Sequence, residues 1–229
     1  IISRKLHILI NGFNGNMGQS IQAHCKKSEL KATDFKEVKA KDINDISAVI
    51  DFSSPEGFIA SVNFCIENSI PLISGTTGLS GEHLDIVGTA KKFIPILLAS
   101  NMSLGIANLK SSIEQYLSSI STPAKCKIIE IHHTHKKDSP SGTAIEIQSY
   151  LKHLPGSKID SQIDVQSLRI GDIFGIHRII FENADGVTTF QHIANSRIVF
   201  ARGALQAAKW IHSKNPGEYS FADFLNKKL

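Results

Sequence analysis

The chain of 229 residues is 41% apolar and 20% charged, long enough to bury a large core without external staples and too hydrophobic to be disordered. A formal charge of +4 is spread over scattered lysine pairs, which argues against a nucleic-acid stripe and suits a small acidic substrate. No apolar run approaches the ~20 residues of a membrane span, and the scattered Cys25, Cys65 and Cys126 fit reduced thiols in a cytoplasmic protein.

The chain starts at Ile1 and not at Met, which points to a trimmed start. IISRKLHILINGF runs directly into a strand, with no signal peptide. Lys5 to Ile10 supply that first strand, which ends at Asn11-Gly12. Glycines follow at 12, 15 and 18, and Met17, Ile21, His24 and Cys25 then recur at helical spacing. A strand, a glycine turn and a helix start bring backbone N–H groups and a positive dipole end up to a pyrophosphate. The GxxGxxG spacing is weak alone, so context has to carry it.

That context is repeated strand–helix alternation. LKATDFKEV supplies a short second strand, with Asp34 as the candidate for a ribose hydroxyl and Lys36 beside it able to tolerate a phosphate. AVIDFSSPEG (48–57) is a buried-type strand before a Pro-led helix start, where Asp51 could cap that helix. PLISGTTGLS (71–80) and PILLASNMSLG (95–105) repeat the plan, the latter leading into a helix to about Ser119. Polar ends on four apolar strands predict a doubly wound parallel sheet with its ligand across those ends. Thr76 and Thr77, between Gly75 and Gly78, are the best candidate cofactor contacts outside the first loop.

KCKIIEIHHTH (125–135) reads as a further strand, followed by KKDSPSGTA. If it stayed extended, His132 and Lys136 would lie ~13 Å apart at ~3.3 Å per residue, so the strand must end for both to serve one substrate. Asp138-Ser139-Pro140 is read as that break, and Ser141-Gly142-Thr143 as the start of a helix to about Leu151. Helix amides, a hydroxyl, Lys136 and the imidazoles then form a receptor for an acidic substrate that must also gain a proton. A zinc site on His133 and His135, a Schiff-base Lys136, and surface histidines beside a capped helix remain alternatives. VQSLRIG, IHRIIFE and VTTFQHIA alternate as half-buried strands, in which Arg169, Asp172 and His177 are read as sheet-edge pairing. ARGALQAAKWIHS and the final YSFADFLNKKL are read as helices, with Trp210 in the core.

The stretch EIHHTHKKDSPSGTA closely resembles the signature of the dihydrodipicolinate reductases, as do GFNGNMG, DFSSPEG, SGTTG, ASNMSLG, RIGDIFGIH and ANSRIVFARGA. The resemblance runs nearly end to end. It implies NAD(P)H-dependent reduction of 4-hydroxy-tetrahydrodipicolinate in lysine and diaminopimelate synthesis. His132 and Lys136 would be catalytic, and His133, Lys136, Gly142 and Thr143 would grip a small dicarboxylate. Gly12, Asn16, Met17, Gly75, Thr76, Thr77, Ala99, Ser100 and Met102 would face the cofactor. It also implies a homotetramer with no metal, nucleic-acid or membrane partner.

Three departures stand out. Asn16 replaces an Arg that holds the extra phosphate of NADPH, which leans the cofactor toward NADH. Thr134 replaces an Arg between the histidines, and a glycine- and arginine-containing segment is missing after Leu154-Pro155-Gly156. The expected fold is a Rossmann-like α/β domain over 1–103, an inserted α+β substrate-binding and oligomerisation domain over 104–200, and C-terminal helices over 201–229 returning to the first. A reductase of another small acid and a non-catalytic NAD(P)-sensing protein are the alternative functions.

Overall fold

The computed structural model describes residues 6–160 and 162–226. They divide into two compact units: the described residues up to Met102 together with those from Arg197 onward, and Ser103–Ser196. Among the described residues no helix is long and apolar enough to cross a membrane.

Their strands are β1 (His7–Asn11), β2 (Lys31–Asp34), β3 (Ala48–Asp51), β4 (Leu72–Ser74), β5 (Pro95–Leu98), β6 (Lys125–His132), β7 (Asp164–Arg169), β8 (Ile176–Asn183), β9 (Gly186–Ile193) and β10 (Gly217–Ser220). The α-helices are α1 (Asn16–Lys27), α2 (Pro55–Asn68), α3 (Gly81–Ala90), α4 (Leu104–Ser119), α5 (Gly142–His153), α6 (Ile198–Ile211) and α7 (Phe221–Asn226).

The first unit is the expected doubly wound sheet, in the order β10-β5-β4-β3-β1-β2 with every pair parallel. Each central strand is buried on both faces, which is why it reads as a continuous apolar run. Leu9, Val49, Leu72 and Ile96 pack with Phe58 and Val62 of α2 and Val87 and Ala90 of α3. Helix α6 covers the sheet beside α1, touching β3, β4 and β5. In register, Ile10 pairs with Asp34, Asn11 with Asp51, and Asp51 with Ser74, so the carboxyl ends of these strands finish level. The order reverses between β1 and β3, the place where such sheets bind ligands.

Two expectations change here. Tyr219 and Ser220 belong to β10 and not to the last helix. Ser220 ends that strand and caps α7 reciprocally with Asp223, its amide donating to Asp223 Oδ2 at 2.7 Å and its hydroxyl accepting from the Asp223 amide at 3.1 Å. Lys5 of the first strand, and residues 227–229 of the last helix, lie outside the described residues. Trp210 is half-buried, edge-on to Tyr219 at 5.4 Å, with the Lys214 ammonium 4.8 Å from its ring centre.

The second unit is a four-stranded sheet in the order β7-β6-β8-β9, with β6 parallel to β7 and antiparallel to β8. Ile106, Leu109, Ile113 and Leu117 form one stripe of α4, and Ala144, Ile147 and Leu151 one stripe of α5. Both stripes pack on Cys126, Ile128, Ile179 and Phe181 of the sheet. Along β6 the residues Cys126, Ile128, Glu130 and His132 share that buried parity. Two polar groups therefore continue an apolar row.

Candidate active site

The first cluster of candidate residues lies at the carboxyl ends of β1, β3, β4 and β5. Gly12 leaves β1 with φ +85°, and a Cβ there would stand 2.3 Å from the Phe52 carbonyl oxygen. Gly18 is equally constrained, with only 2.2 Å from a Cβ to the Gly12 carbonyl oxygen. Glycine is thus required for the turn and for seating α1 against it. Helix α1 opens at Gly15 without a side-chain cap or a first-turn acid, so Asn16 and Met17 begin a helix whose positive end suits a pyrophosphate. The loop fits a dinucleotide on these grounds.

Asp34 is the last residue of β2, next to β1 in the sheet, and its carboxylate accepts from the Lys36 amide at 3.0 Å. Gly75 follows β4, where a Cβ would come within 2.1 Å of the Phe52 ring. Thr77 is exposed beside it. Ala99 donates its amide to Ser74 at 3.0 Å, Ser100 is exposed, and the Met102 side chain is buried.

Asp51 does not cap α2 as the sequence suggested; Ser54 does, accepting from the Gly57 amide at 3.2 Å. Fully buried, Asp51 instead takes hydroxyl donors from Ser53 at 2.5 Å, Ser74 at 2.7 Å and Thr76 at 2.7 Å. Thr76 also accepts from the Ser53 amide at 3.0 Å. Its hydroxyl therefore ties the β3 and β4 loops together, and this carboxylate fixes their shape.

The second cluster forms where β6 passes between β7 and β8. The register sets His132 opposite Arg169 and Glu130 opposite His177. Glu130 is completely buried: Oε2 accepts from His132 Nδ1, and Oε1 accepts from Arg169 Nη1 at 2.9 Å and from the Ser141 amide at 3.3 Å. The His132 and His177 rings meet edge to face at 5.1 Å, and His177 Nε2 lies 3.3 Å from the Ser141 hydroxyl. His177 is thus not sheet-edge pairing, because β8 is an inner strand and its ring packs against His132, whereas Arg169 does pair across the edge strand β7, its guanidinium reaching Glu130 on β6. Asp172 stays exposed in the turn after β7.

Strand β6 ends at His132, and the chain turns at once, Lys136 donating its amide to the His133 carbonyl at 3.1 Å. The break therefore precedes Asp138-Ser139-Pro140, because the backbone bonds of the turn form within residues 133–136. Lys136 Nζ pairs with Asp138 Oδ1 at 2.8 Å, while Asp138 Oδ2 accepts from the Gly142 amide at 3.3 Å. An ion-paired ammonium is a carboxylate receptor and a poor nucleophile, so the Schiff-base reading loses ground. Helix α5 starts at Gly142, capped by Ser141, with Thr143 buried in its first turn. His133 is half-buried, its ring 6.3 Å from that of His135, and no group of three or more potential metal ligands occurs among the described residues.

Burial is the main force lowering the His132 pKa, opposed by the Glu130 carboxylate and reinforced by Lys136 and Arg169. Burial alone would raise the Glu130 carboxyl, yet hydrogen bonds and the neighbouring Arg169 and His132 hold it below its ordinary value. His177 is pushed down to about 3, chiefly by burial and then by His132. A neutral ring thus stands edge to face with the His132 imidazole. Chemically, the cluster can hold a carboxylate and move one proton.

Residues 26–102 match the family description "Dihydrodipicolinate reductase, N-terminus", and residues 105–225 match "Dihydrodipicolinate reductase, C-terminus". The 4-hydroxy-tetrahydrodipicolinate reductase of Bdellovibrio bacteriovorus is 37% identical over 227 residues, covering 97% of either chain. The chain belongs to the dihydrodipicolinate reductase family. The Rickettsia akari member is 33% identical over 98% of both chains. A solved dihydrodipicolinate reductase from Paenisporosarcina sp. TG-14, bound to dipicolinate, shares the fold with a TM-score of 0.71 at 17% identity, covering 94% of this chain and 97% of that one.

Within this reductase chain, the sequence reading passed over Glu130 and misjudged His177 and Asp51. One signal was available. A charged residue at the parity of Cys126 and Ile128 in a predicted strand demands a buried partner.

Proposed function

We propose that this chain reduces 4-hydroxy-tetrahydrodipicolinate to tetrahydrodipicolinate, with loss of water, as a step toward lysine and diaminopimelate. The observation that carries this reading is the pairing of a carboxylate receptor, Lys136 with the Gly142 amide, with a buried imidazole at His132 held by Glu130. A nicotinamide dinucleotide, when bound, supplies hydride to the ring. The residues of the chain do the rest. His132 delivers the accompanying proton, and Lys136, His133, Gly142 and Thr143 grip the substrate carboxylates.

Gly12, Asn16 and Met17 are assigned to the pyrophosphate, Asp34 to the adenosine ribose, and Gly75, Thr76, Thr77, Ala99, Ser100 and Met102 to the face nearer the nicotinamide. Asp34 at the end of β2 and Asn16 in place of a phosphate-binding Arg support NADH over NADPH. The working form is a cytoplasmic homotetramer.

The test is loss of reduced-nicotinamide absorbance with freshly prepared substrate, run in parallel with NADH and NADPH. Turnover faster with NADH supports the reading in full. Turnover only with a different small acid, or dinucleotide binding without turnover, overturns it.

A further inference from the structure

We propose that Glu130 is a positioning residue that anchors Nδ1 of His132 and leaves Nε2 as the nitrogen that exchanges the proton. This rests on the reading of His132 as the proton donor above, and adds the group that makes it one.

The geometry begins with the strand. Glu130 continues the row of Cys126 and Ile128, where an apolar side chain would complete the core at no electrostatic cost. Each carboxylate oxygen has its own work. Oε1 is fixed by Arg169 Nη1 at 2.9 Å and by the Ser141 amide at 3.3 Å, the first from β7 and the second from the start of α5. With one oxygen held on two elements, Oε2 is turned to His132 Nδ1. A carboxylate at Nδ1 keeps the proton there in the neutral ring and stabilises the imidazolium when it forms.

The opposite nitrogen faces a glycine. A Cβ at Gly175 would sit 3.0 Å from His132 Nε2, so any larger residue would crowd that atom. Four charged or titratable groups face the imidazole from the elements around it: Glu130 on β6, Lys136 on the turn, Arg169 on β7 and His177 on β8. Glu130 is the sole anion of this set. Lys136 and Arg169 favour the neutral ring, and His177, itself neutral, adds no charge against protonation. A buried ion pair that served only to lock β6 to β7 would have no need of the imidazole as its third member.

The test uses the full chain labelled with 15N-histidine, the His132 resonances being assigned by their loss in His132→Gln. Glu130→Gln should lower the His132 pKa by at least one unit, and Arg169→Gln should raise it, since that change frees the carboxylate from its cation. In the wild type the neutral ring should carry its proton on Nδ1. The alkaline limb of kcat should follow, falling about ten-fold per unit near neutrality in Glu130→Gln while KM for the dinucleotide holds. Glu130→Asp, keeping the charge, should recover part of the shift, and it replaces Glu130→Gln should that variant not fold.

Unchanged or same-direction titrations in the two variants, or a wild-type neutral ring protonated on Nε2, overturn the proposal. If the ring titrates as expected while the rate limb stays in place, Glu130 still positions His132, and it is the proton-donor reading that fails.

Discussion

His177→Gln isolates what burying this imidazole does to acid stability. The ring is almost fully buried and its pKa is pushed down to about 3, against 6.5 for a free histidine. Because the folded value is the lower, the folded state binds fewer protons than the unfolded one below about pH 6.5. The stability of the neutral ring is therefore intact above about pH 6.5 and is lost as the pH falls toward about 3. At about pH 5 the unfolded ring is nearly all charged and the folded ring nearly all neutral. That gap of about 1.5 units amounts to about 2 kcal/mol.

Urea unfolding at about pH 7.5 and about pH 5 measures this directly. Between the two, the wild type should lose about 2 kcal/mol more than His177→Gln, whose amide can still reach the Ser141 hydroxyl but cannot charge. His132 is also held below its ordinary value by burial, but it is present in both proteins and cancels in the difference. Equal losses in the two would refute the claim that this ring is kept neutral by its surroundings.

Asp138 holds the groups proposed for the substrate, so Asp138→Asn should tighten binding of a dicarboxylate analogue. With side chains 24% and 50% exposed, the Lys136–Asp138 pair is worth about 0.5–1 kcal/mol, or about two- to five-fold in Kd by calorimetry. Unchanged or weaker binding would show that Asp138 does not compete. Gly12→Ala should cut dinucleotide affinity at least about ten-fold and lower Tm by several degrees, since φ +85° strains alanine and the Phe52 carbonyl blocks its methyl; wild-type affinity would place the cofactor elsewhere. His132→Gln should lower kcat by about 100- to 10,000-fold with dinucleotide Kd within about two-fold. Parallel loss of both would remove His132 from the chemistry.

The fold of the first unit was legible because its signals are local. β1, β3, β4 and β5 are each short, apolar and followed by glycine or a cap, and parallel pairing needs nothing from the sequence beyond that order. β10 escaped because Gly217–Ser220 has four residues with alternating exposure, and its identity comes from the edge of β5. Asp51 was misread for the same kind of reason. Two of its hydroxyl donors, Ser74 and Thr76, belong to β4 and the loop after it, 23 and 25 residues away. Nothing local distinguishes a buried carboxylate that ties two loops from one that caps a helix.

The site of the second unit shows the limit more sharply. His132, Lys136, Gly142 and Thr143 stand within one short stretch, so their association was readable as a string. Arg169 and His177 join the Glu130–His132 pair only through register: β6 sets Glu130 opposite His177 and His132 opposite Arg169. A shift of one residue would turn Glu130 and His132 to the opposite face and put Ile129 and Ile131 in their places. The apolar row Cys126–Ile128, continued on β8 by Ile179 and Phe181, is what forbids that shift, since it would expose the residues packed under α4 and α5. The burial that holds the fold together is therefore also what aims the imidazole. Substitutions at Ile128 or Ile179 that loosen this register should then damage turnover before they unfold the chain, because the Glu130–His132 pair loses Arg169 and His177 while the helices keep most of their cover.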